Sequence, residues 1–66
     1  MARLVSYNDG DIPLGGQTWL DGNLGVTVDR VRPPADDLDT GSVHITYSWG
    51  AHDDVAPSRL GAYIAD

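Results

Sequence analysis

From Ser42 to Trp49 apolar and polar side chains alternate without a break. Val43, Ile45, Tyr47 and Trp49 share one parity; Ser42, His44, Thr46 and Ser48 share the other. A repeat of two residues places the four apolar groups on one face of an extended strand, half-buried against something. On a helix the same residues would be scattered around the circumference. The segment is a strand, and a strand needs partners. The remaining composition points the same way. All ten acidic residues are Asp and all four basic residues are Arg, so the good helix formers Glu and Lys are missing. Eight glycines and four prolines favour turns over long helices. The chain reads as all-β.

With 66 residues it makes one small domain. A chain of this size buries roughly 60% of the surface that its unfolded form exposes, so its core is small. There is no cysteine, which excludes disulfides, thiolate metal sites and a cysteine nucleophile. The formal net charge is −6. Four Arg against ten Asp cannot easily build the basic face that a phosphate backbone or an anionic lipid surface requires. Direct nucleic-acid binding is therefore disfavoured. No run approaches the ~18–20 apolar residues of a membrane span, and "MARLVSYNDGD" lacks the apolar core of a secretory signal. The expected location is cytoplasmic, or a virion if the chain is phage-encoded.

Along the chain, Arg3–Tyr7 is a short strand or a loose arm ending in the turn cluster "NDGD". Ile12–Leu20 is irregular at Pro13 and Gly15-Gly16 and extended over "QTWL". Asp21–Gly25 carries tight-hairpin chemistry, with Gly25 suited to positive φ or a bulge. In the strand Val26–Arg32, Val31 is out of phase with Val26 and Val28, and a bulge near Asp29-Arg30 would return it to the core side. Pro33–Gly41 is an exposed loop with Leu38 tucked in, since two prolines remove ladder donors. Gly50 reverses the chain into Ala51–Ala56, Pro57–Leu60 makes a single helical or 3-10 turn, and Gly61–Ile64 closes as the last strand. These elements divide into an N-terminal strand or arm over residues 1–10 and a barrel over residues 11–66.

The succession "QTWLDGNLGVTVDRV", "GSVHITYSWG" and "DDVAPSRLGAYI" resembles the SH3-like small-barrel pattern of Tudor, KOW and related actinobacterial domains. Gly25-Val26, Gly41, Val43, Ile45, Tyr47, Val55, Pro57 and Leu60 stand at the matching positions, over roughly residues 12–64. The resemblance implies a small five-stranded SH3-like barrel with a single 3-10 turn before the last strand. It also implies peptide or modified-side-chain binding through aromatics at the barrel's open end. The residues available for that are Trp19, Tyr47, Trp49 and Tyr63, with Asp53 or Asp54 supplying charge. In a chain without Phe, packing is the main competing role for all four aromatics.

The acidic stretch Ala35–Asp39 is a second candidate, a docking segment with Leu38 as an apolar anchor between Asp37 and Asp39. His44, His52, Asp53 and Asp54 are the candidate metal ligands, with the two histidines facing each other across the hairpin. They lack a spacing typical of a metal site, so two solvated histidines are expected and no cofactor or metal. Ser58, His52 and Asp54 supply the residue types of a hydrolytic triad without a nucleophile elbow or oxyanion hole. A chain this small also has little room for a pocket of several hundred cubic ångströms. The expected function is a non-enzymatic protein-interaction module or a small accessory subunit of a larger assembly, such as a phage or bacterial structural component. Its partners would be another protein or homo-oligomer neighbours, and Met1–Tyr7 would lend a strand to a neighbouring sheet. The alternative is a nucleic-acid-related regulator, either a binding barrel or an acidic mimic.

Overall fold

A computed structural model describes all of residues 1–66. Seven strands, all antiparallel, carry the fold: β1 (Arg3–Ser6), β2 (Gly10–Ile12), β3 (Gln17–Leu20), β4 (Leu24–Arg32), β5 (Ser42–Tyr47), β6 (His52–Val55) and β7 (Ala62–Ala65). A 3-10 turn, Pro57–Leu60, precedes β7. The strands form a three-stranded sheet ordered β2-β1-β7 and a four-stranded sheet ordered β3-β4-β5-β6. The all-β class is as expected, but the closed five-stranded barrel is not: the two sheets do not close. The physical reason lies at residues 13–16. Pro13 cannot donate to a ladder, and Gly15 turns the backbone at φ 83°. What reads in sequence as one irregular strand is therefore two, β2 pairing with β1 and β3 pairing with β4.

β1 is the middle strand of its sheet. Leu4 pairs with Ile12 on one side and with Ile64 on the other. Both of its main-chain edges are occupied within the chain, leaving none to lend to a neighbour, and Leu4 is buried in the core. The Asp21-Gly22 turn joins β3 to β4 with both residues at positive φ, 53° and 80°, the conformation that twists a two-strand ribbon correctly. Gly25, in contrast, has no positive φ. It is an ordinary strand residue opposite Trp19, whose ring would lie 3.5 Å from a Cβ at this position.

Nine side chains make the core: Leu4, Leu20, Val26, Val28, Val43, Ile45, Val55, Leu60 and Ala62. The register of β4 on β5 slips between Val28 and Arg30, so that Val28 faces Ile45 and Val31 faces Val43. This bulge restores Val31 to the core side, as its phase in the sequence requires. Pro57 opens the 3-10 turn and Gly61, in the left-handed region, ends it, placing Leu60 over the core. The backbone N–H of Asp21 donates to the Arg59 carbonyl at 2.8 Å, tying this turn to the end of β3.

Candidate functional site

The register that buries Val43 and Ile45 turns His44 and Thr46 outward. His44 stands opposite Asp54 and Thr46 opposite His52, so the two histidines are diagonal neighbours on the outer face of the four-stranded sheet. Their rings stack with centroids 5.3 Å apart and planes 16° apart. His44 Nδ1 lies 2.9 Å from Asp54 Oδ1. The bulge adds a residue that the sequence reading left out. Asp29, the extra position in β4, reaches the same face, accepts a hydrogen bond from the Thr46 hydroxyl and lies 3.6 Å from His52 Nδ1. Its signal was present in the phase of Val31, because a bulge at 29–30 redirects one side chain of that pair. Asp53 falls on the opposite parity, away from the histidines, and accepts a 2.8 Å hydrogen bond from the Tyr47 hydroxyl. That bond, and the carboxylate charge behind it, raise the Tyr47 phenol above its ordinary pKa. Ser58, on the 3-10 turn, has no hydrogen bond to His52 or Asp54.

The four candidate aromatics are distributed over three places. Tyr47 packs on the edge of the core and Trp49 stacks on it, centroids 4.7 Å apart and planes 6° apart. Trp19 lies on the other face of the sheet, across Gly25. Tyr63, on β7, pairs with Tyr7 at 5.1 Å. The parities of β3 and β5 keep Trp19 apart from Tyr47.

The Pro33–Gly41 loop is braced by two aspartates. Asp39 accepts from Arg32 at 2.8 and 3.3 Å and from the backbone N–H groups of Ala35 and Gly41 at 2.9 and 3.0 Å. Asp36 accepts from the N–H groups of Leu38 and Asp39. Leu38 is not tucked in: it is 97% exposed, and Asp37 beside it is exposed as well. The Arg32 hydrogen bond above all, then the two N–H donors, hold the Asp39 carboxyl far below the usual carboxylate range. A depressed folded-state pKa contributes stability that is present above the unfolded value near ~3.9 and is lost as pH falls toward the folded value. Asp21, held low by its hydrogen bonds from Arg59, acts in the same direction. An Asp39→Asn variant should be less stable than the parent at neutral pH. Urea titrations should show that gap narrowing steadily below about pH 4; a constant gap would mean that the carboxylate charge does not matter.

A cleft of about 570 Å³ opens between β1, β2 and the end of β4, lined by Met1, Ile12, Leu14 and Val31 with Arg3 and Arg30. Its size runs against the expectation that so short a chain has little room for one. The space exists because the corner at Pro13–Gly16 swings Leu14 off the sheet, leaving it 64% exposed. Arg3, Arg32 and Arg59 each pair with an aspartate. Arg30 has no carboxylate partner.

Comparison of the chain with protein-family models, with curated proteins and with solved structures returns no match. No helix is long and apolar enough to cross a membrane.

Proposed function

We propose that this chain is a non-enzymatic protein-interaction module and a small subunit of an assembly. On this reading it follows an SH3-like plan: a first strand hairpinned to β2, a four-strand meander, one 3-10 turn and a closing strand that returns to β1. Copies join by inserting the Leu38 loop of one molecule into the apolar cleft of another. The observation that carries this reading is complementarity within one surface. A leucine exposed to 97% on a braced loop and flanked by Asp37 matches a cleft lined by Met1, Ile12, Leu14 and Val31 and holding the one unpaired arginine.

Burying one leucine contributes about 1.5–3 kcal/mol, and a partly exposed arginine–carboxylate pair adds up to about 1 kcal/mol. Set against the loss of rotational and translational freedom, the contact between two isolated copies is weak. Repulsion between chains of charge −6 weakens it further at low salt, although beyond about 8 Å physiological salt screens it. Weak contacts of this kind suit a subunit held in place by many neighbours. A gain of at most about 4 kcal/mol corresponds to a Kd of about 1 mM or weaker, so sedimentation equilibrium carried to about 5 mM protein should show an average mass rising above 7.1 kDa. Leu38→Asp and Arg30→Asp should each return the monomer. A monomer throughout the range, or an association that both variants retain, would remove the reading.

A further inference from the structure

We infer that Asp29, His44 and His52 form a binding site for a zinc-type divalent cation, on the face of the four-stranded sheet away from the core. The three side chains come from three different strands, and one potential ligand atom from each lies within 4.8 Å of the others. Tetrahedral coordination with bonds of about 2.0–2.1 Å puts ligand atoms roughly 3.4 Å apart. Asp29 Oδ2 and His52 Nδ1, at 3.6 Å, already stand near that separation. The His44 ligand atom, within 4.8 Å of the other two, closes a gap of at most about 1.4 Å by side-chain rotation on a solvent-facing surface.

Two further features match what an ion requires. Asp54 Oδ1 lies 2.9 Å from His44 Nδ1, so that nitrogen donates to the carboxylate and Nε2 keeps its lone pair free. Metal-binding imidazoles are oriented in this way by a carboxylate behind the ring. The Thr46 hydroxyl donates to Asp29 and accepts from His52 Nδ1 at 3.0 Å, fixing both groups; the ion displaces the His52 Nδ1 proton when that nitrogen binds it. The near-parallel stacking of the rings keeps the two imidazoles side by side. Two nitrogens and one carboxylate, with a fourth position open to water, suit Zn²⁺ and its late first-row neighbours. Mg²⁺ and Ca²⁺ call for six or more oxygens. Asp29 and Asp54 balance the charge of a divalent ion. Arg30, opposite His44 in the register, and Arg32, within reach of the Asp54 charge, work against it. None of the three ligands lines the cleft, although Arg30 adjoins both, and the site does not depend on self-association.

Calorimetric titration of the tag-free protein with Zn²⁺ tests the assignment. Saturation at a single equivalent is expected, together with Co²⁺ visible bands of four-coordinate intensity and no response to Mg²⁺ or Ca²⁺. His44→Ala and Asp29→Asn should each weaken Zn²⁺ binding at least tenfold. Asp54→Asn, which removes only the orienting carboxylate, should weaken it about 10-fold. Far-ultraviolet circular dichroism establishes that each variant is folded. Absence of binding, a stoichiometry other than one, or unchanged affinity in folded His44→Ala and Asp29→Asn proteins would overturn the site.

Discussion

Gly41→Ala is expected to leave the chain largely unfolded at 25 °C. Gly41 sits at φ 82°, where any side chain is strained, and a Cβ there would lie 2.5 Å from the Arg32 carbonyl oxygen and 2.6 Å from Ile64 Cδ1. The conformational term costs about 1–2 kcal/mol. The steric term costs about 1–3 kcal/mol more, because a backbone oxygen in β4 cannot rotate away. A core of this size supplies only about 3–5 kcal/mol in total, so the loss is comparable with the whole. Gly50→Ala isolates the two terms. Gly50 has φ 92° with nothing within 4 Å of its would-be Cβ, so only the conformational cost applies. Urea unfolding of both variants separates them, and equal losses would show that close packing at Gly41 is unimportant.

Ile45→Ala should cost about 2–5 kcal/mol. Ile45 is fully buried in β5, facing Val28 in β4. Shortening it leaves a cavity that two neighbouring strands, locked by their ladders, cannot collapse into. For a domain of this length each kcal/mol lowers the melting temperature by about 4–8 °C, so the variant should melt well below its parent or not be folded at all. Leu38→Ala is the contrast: the same removal of apolar volume at a residue exposed to 97% should change stability by less than about 0.5 kcal/mol. If the two substitutions proved equally costly, the division of this chain into core and surface would be wrong.

Short-range rules made much of the fold legible. The alternating strand from Ser42, expected to reach Trp49 and ending at Tyr47 where the turn begins, the Asp21-Gly22 turn, the bulge demanded by Val31 and the Pro57–Leu60 turn each follow from a few adjacent residues. What was not legible depends on pairings distant in sequence. Pro13 and the glycines after it announce an irregularity, but not that its two halves join different sheets; that is decided by β1 meeting both β2 and β7. The open sheets and the cleft follow from that one corner. Leu38 shows a different limit. An apolar residue in a loop is expected to find cover, and here Asp36 and Asp39 hold the loop in a shape that gives it none. At the candidate site the sequence offered His44 and His52 on one hairpin. It did not offer Asp29, whose direction is decided by a register shift rather than by its own neighbours.

The strand β6 has one consequence for behaviour in concentrated solution. It pairs with another strand on one side alone, so its other side is open to any strand that approaches, with the Asp54 N–H turned to the Asp53 carboxylate at 2.8 Å. Asp53 and Asp54, both exposed, sit on that rim, one on each face of the sheet. A second molecule docking rim to rim would bring its own pair of like charges against them. Resistance to strand addition at this rim therefore rests on two adjacent carboxylates; β2, β3 and β7 end their sheets as well and carry their own protection.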